Sequence, residues 1–155
     1  DYTAEGNKWV MPFFLGLLAA IQLETQGEKQ SAAARIDEAL ALAQQTEEHW
    51  TDAFLHRIRG EILLKRDPAN TAPAEDAFLT AIATAQRQEA KAFELHAALA
   101  LAKLYQSINR AADAHAVLAA ALRGFSLTPE FPEIEQAQTL LGALRSRRGV
   151  QGEGP

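Results

Sequence analysis

The sequence has no cysteine, so neither disulfides nor thiolate metal sites contribute, and the chain carries no trace of a redox compartment. Aromatic residues are few, at 7%, and nine glycines and six prolines among 155 residues leave long uninterrupted stretches free to form helix. Positive charge is in deficit: the formal net charge is −5 and the pI about 5.4, which argues against binding nucleic acid through a general basic surface. The most apolar stretch, residues 9–21, is interrupted by Pro12 and Gly16. It falls short of the roughly 20 residues a membrane-spanning helix needs. It also has no basic segment ahead of it and no small-residue cleavage site, so it reads as a buried helix and not as an anchor or secretion signal. No membrane association and a cytoplasmic location are therefore expected. The chain opens on Asp1 and its single methionine is Met11, which gives the expectation of an excerpt from a longer protein.

Hydrophobic residues make up 48% of the chain and charged residues 23%, proportions that support one packed domain. Apolar residues recur at helical spacing almost throughout, no stretch alternates as a strand would, and β-branched residues are sparse. The periodicity predicts seven helices, over about 10–25, 29–46, 51–66, 74–89, 92–107, 111–123 and 133–144. Pro12 fits the first turn of the first helix, and Gly27 and Gly124 follow the first and sixth as stops. Asp67, Pro68, Asn70 and Pro73 mark a loop, as do residues 128–132, and Asn109 suits a left-handed turn. Residues 1–145 are read as a single domain, with helix pairs over about 10–46, 51–89 and 92–124 and a capping helix over about 133–144. Residues 146–155, which carry no apolar pattern, are read as a flexible tail.

The second helix of each pair repeats one motif. Ala32, Ile36, Ala39 and Leu40 are followed by Ala74, Phe78, Ala81 and Ile82, then by Ala114, Leu118, Ala121 and Leu122, in steps of 42 and 40 residues. Twelve residues ahead of the first and third alanines stand Ala20 and Ala102, each followed three residues later by a large side chain, Leu23 and Tyr105. Gly60 and Leu63 are their counterparts in the middle pair, with the count stretched by two. Small residues let paired helices approach closely, and large ones fill the gaps beside the crossing.

This small–large–small pattern resembles the tetratricopeptide repeat over about residues 12–124. The resemblance implies an all-α superhelix of three helical hairpins plus a capping helix. Gly16, His56 and Ala98 replace the aromatic residue that the family places early in each first helix, Arg59 stands where a leucine is usual, and the step near 40 exceeds the family's usual 34 or so. The run Phe54-Leu55-His56-Arg57-Ile58-Arg59-Gly60-Glu61-Ile62-Leu63-Leu64 is similar to long-repeat arrays at the C-terminus of bacterial proteins that join an adenylate/guanylate cyclase domain to a predicted ATPase domain. Trp9 to Phe14 and Gly124-Phe125 with Pro132-Glu133-Ile134 share that similarity. It implies a signalling parent whose catalytic domains lie upstream. The segment itself is expected to be an interaction and regulatory module that needs no cofactor and has no catalytic centre.

The residue types that carry chemistry are scattered. His49, His56, His96 and His115 include no pair at i, i+4 spacing, so no helical zinc site is expected. No glycine-rich phosphate loop precedes a lysine, and Ser126 lacks a nucleophile elbow. Glu75 with Asp76, and Glu133 with Glu135, sit at helix starts, where carboxylates complement the helix dipole. Arg145, Arg147 and Arg148 form a solvated basic helix end.

The resemblance places the first helix of each pair on the concave face. That implies a partner-binding surface of Phe14, Leu17 and Ile21, then Arg57, Glu61 and Lys65, then His96, Lys103 and Gln106, with Glu24, Leu64 and Leu99 among them. The partner would be a protein or peptide, or upstream domains of the same chain. Solvation of these side chains, or their packing on missing parts of the parent, is the alternative. At the N-terminal end, Trp9 and Phe13 are expected to drive self-association as a homodimer through the first helix.

Overall fold

The computed structural model describes residues 10–24, 29–123, 125 and 132–151. Among these it is all-helical: α1 (Met11–Glu24), α2 (Lys29–Thr46), α3 (Asp52–Arg66), α4 (Ala72–Arg87), α5 (Lys91–Ser107), α6 (Ala111–Leu122) and α7 (Pro132–Gln151). Trp9, Gly27, Gly124, residues 128–131 and residues 152–155 lie outside the described part.

Each helix packs on the next in the chain, and α1, α3, α5 and α7 also touch in succession. The even-numbered helices do not touch one another among the described residues, so the odd-numbered ones form an inner row. The protein is an array of helical hairpins.

The repeat motif marks the core. Ala32, Ile36, Ala39, Ala74, Phe78, Ala81, Ala114, Leu118 and Ala121 are all buried, and the fourth member of each set, Leu40, Ile82 or Leu122, is half-buried. Each large member contributes about 1.5–3 kcal/mol of burial energy. The alanines contribute close approach of the backbones. Glycine makes the closest approach at two points. A Cβ on Gly16 would stand 2.6 Å from Leu55 Cδ2 and 2.7 Å from Phe54 Cε1, which fixes how tightly α1 crosses α3. Gly60 lies equally tight against the ring of Phe78.

Three of the connections share one device. Glu47, Glu89 and Asn109 adopt left-handed backbone angles of φ 54°, 55° and 63°. The next residue's N–H then donates back five residues: Glu48 to Ala43 O at 3.2 Å, Ala90 to Ala85 O at 2.9 Å, and Arg110 to Tyr105 O at 2.8 Å. These bonds satisfy carbonyls that the helix end would otherwise leave open. Asn109 suits this role by type, whereas the two glutamates are set by position, 42 residues apart at the joints between hairpins.

Several boundaries differ from the sequence reading, α4 by two residues at each end and α7 at both of its ends. Pro73 lies inside the first turn of α4 and not in the preceding loop, because a first-turn proline gives up an N–H that has no intrahelical partner. The reading of residues 146–155 as a flexible tail is corrected over 146–151: α7 does not stop near Leu144 but continues to Gln151. Arginine is a good helix former, and basic residues near a helix C-terminus complement its dipole, so the helix runs on after its apolar stripe ends. Ser146 Oγ donates to Gly142 O at 3.2 Å within that extension.

Candidate functional site

The inner row opens into a groove of about 460 Å³ between α3, α5 and α7. Its floor is apolar: Leu64 of α3, Phe78 of α4, and Leu99, Ala100 and Leu104 of α5. Its rim is charged. Arg57 and Glu61 stand one helical turn apart on α3, and Arg57 Nη1 donates to Glu61 Oε1 at 2.6 Å. The Arg57 guanidinium also lies 5.5 Å from the centroid of the Phe54 ring. Across the groove, His96 Nε2 of α5 is 3.6 Å from Glu133 Oε1 of α7. Burial lowers the His96 pKa from its ordinary 6.5, and the nearby Arg57 charge lowers it further, against the opposing pull of Glu133 and Glu61. Lys103, one turn beyond Leu99, is exposed at the end of the groove.

A second groove of about 500 Å³ between α5 and α7 meets the first at Lys103 and Gln136 and continues past Gln106, Thr139 and Leu140. Together they form a trough along α5, and such a trough can hold an extended chain with an apolar side chain seated on the floor and polar groups at the rim.

Of the residues expected on a concave face, the structure brings Arg57, Glu61, His96 and Lys103 into one groove and sets Gln106 in the adjoining one. Lys65 points elsewhere, with its Nζ 3.1 Å from Glu24 Oε1, and ties α3 to α1. Phe14, Leu17 and Ile21 are exposed on α1 outside the groove. Phe13 turns inward and stacks on Trp50 at 5.6 Å and Phe54 at 5.5 Å between ring centroids.

Sequence reasoning missed the contribution of α7. Glu133 and Gln136 complete the groove, yet Glu133 reads in sequence only as a helix-start carboxylate. No local signal says that the capping helix folds back against α5.

Among the described residues, no three His, Asp or Glu side chains gather to hold a metal ion, and no helix is long and apolar enough to cross a membrane. The chain matches no protein-family model, no curated protein and no solved structure.

Proposed function

We propose that the chain is a tetratricopeptide-like interaction module that takes an extended protein segment in the trough between α3, α5 and α7. The observation that carries this reading is the groove itself, in which an apolar floor at Leu64, Leu99 and Leu104 lies under a rim of Arg57, Glu61, His96, Lys103 and Glu133. A mixed rim of this kind favours register and specificity over raw affinity. A signalling setting in the bacterial cytoplasm, beside cyclase or ATPase domains, is supported only by the likeness of the Phe54–Leu64 run to such arrays.

Selection of a displayed library of random dodecapeptides against the chain tests the reading. Enriched peptides should shift backbone NMR signals of α3, α5 and α7. Their affinity should fall about tenfold or more, equivalent to about 1.4 kcal/mol, in Lys103→Glu or Glu133→Lys. Absence of enrichment, or peptides that perturb other helices and ignore both substitutions, would refute it. Detectable binding of Mg-ATP to the same chain would show instead that it takes part in nucleotide chemistry.

A further inference from the structure

We infer that two copies of this chain pair through α1, antiparallel and face to face about a two-fold axis. The argument starts from the composition of that helix. From Met11 to Leu23, α1 has no charged residue, and it is apolar on every side. Gly16, Ala19 and Leu23 are buried against the rest of the molecule. The opposite face carries Met11, Phe14, Leu17, Leu18 and Ile21, which are 45, 57, 37, 41 and 63% exposed. A helix apolar all round belongs in an interior and needs cover on both faces.

The repeat register says what kind of cover fits. With Ala20 and Gly60 as equivalent positions, Phe14 and Leu18 correspond to Phe54 and Ile58. Those two are buried at 8 and 2% exposure in the cluster formed with α1 and α2. The face of α1 is thus built like one that packs on helices elsewhere in the same array.

Area and charge select the occupant. Trp50, 43% exposed and stacked on Phe13, continues the patch. Six side chains exposed by about half present on the order of 500 Å² per copy, so a pair buries about 1,000 Å², near the threshold for a specific interface. Among the described residues the other end of the array is more polar: α7 shows Glu135, Gln136 and Thr139 to solvent, and Arg145, Ser146 and Arg147 are exposed toward its C-terminal end. Head-to-tail stacking would set the apolar face of α1 against this more polar surface, whereas α1 against α1 matches like with like and closes at a dimer. Glu24 is the only charge on the helix. An antiparallel arrangement places the two Glu24 carboxylates about 20 Å apart along the axis, whereas a parallel one sets them side by side. This inference is independent of the groove.

Sedimentation equilibrium on the whole chain, at concentrations up to about 0.5 mM, tests it. We expect a mass of twice 16.9 kDa. Phe14→Glu with Leu18→Glu should weaken association about 100-fold by placing charges in an apolar contact, while circular dichroism shows the same helix content. Leu79→Glu, at an exposed apolar residue on α4, should leave the dimer intact. A monomer at every concentration overturns the proposal. So does a mass that grows past the dimer, a dimer indifferent to the α1 substitutions, or one that Leu79→Glu dissolves.

Discussion

Gly60 of α3 lies flat against the ring of Phe78 of α4: a Cβ at Gly60 would stand 2.6 Å from Cε1 and 2.7 Å from Cδ1. Phe78 is 1% exposed, so its ring has nowhere to retreat. In the flanking hairpins the matching positions pair Ala20 with Ile36 and Ala102 with Leu118, so the smallest residue faces the largest. Gly60→Ala gains about 1 kcal/mol of helix propensity, yet overpacking costs about 1–3 kcal/mol, and a net loss of stability is expected. Phe78→Leu in the same chain should make Gly60→Ala neutral or stabilising. Urea unfolding of the two single variants and the double variant checks this through the coupling between them. A stabilised Gly60→Ala single variant would show that the ring yields.

That relationship also shows where the sequence was legible. The small–large–small spacing identifies the hairpins because close helix crossings impose it locally, and every alanine and large residue of the motif is buried or half-buried as the pattern requires. The groove was half legible. Arg57, Glu61, His96 and Lys103 lie on helices whose order in the stack follows from the repeat, whereas Glu133 and Gln136 arrive through the packing of α7 on α5, which no periodicity encodes. Phe13 and Phe14 illustrate the other limit. Adjacent helical residues point about 100° apart, and only the packing decides that Phe13 joins Trp50 and Phe54 while Phe14 faces solvent.

Thr51 precedes α3 as its N-cap residue, yet its hydroxyl makes no capping bond. The oxygen is buried without a hydrogen-bond partner among the described residues. An unsatisfied buried hydroxyl costs about 1–3 kcal/mol, and valine reproduces the shape of threonine without the polar atom. Thr51→Val is therefore expected to raise stability by about 1 kcal/mol in urea or thermal unfolding. A loss of that size would mean that the hydroxyl is hydrogen-bonded in solution.

Tyr105 joins three helices at one point. Its hydroxyl donates to Glu75 Oε1 of α4 at 2.8 Å, and the Arg110 guanidinium, just ahead of α6, lies 4.2 Å from the ring centroid while bonding the same carboxylate at 3.0 Å. Burial of the phenol and its hydrogen bond to Glu75 push the Tyr105 pKa up to about 12. Because the folded value lies above the ordinary 10, this contribution to stability is complete below pH 10 and is lost as pH rises toward 12. Absorbance titration in a Tyr2→Phe background should show a phenol ionising well above 10, and Glu75→Gln should bring it down. Ionisation near 10 in the unsubstituted site would show that the clasp is open in solution.

His56 and His96 act at the other end of the pH scale. Both have pKa values below the ordinary 6.5, chiefly because burial disfavours the imidazolium; Arg59 adds to the effect at His56 and Arg57 at His96, while Asp52 opposes it at the first and Glu133 and Glu61 at the second. A depressed value in the folded state means that the neutral rings contribute stability above about pH 6.5, and that this contribution is lost as pH falls through the folded values. The melting temperature should therefore drop as pH falls below about 7, with a shallower slope in His56→Gln and in His96→Gln. Imidazole NMR separates the sites: Glu133→Gln should lower the His96 titration further by removing the charge that favours its protonation, and leave His56 unmoved. A His96 midpoint at or above 6.5 would mean that burial does not govern this ring, because either the imidazole is open to water or Glu133 and Glu61 outweigh its desolvation.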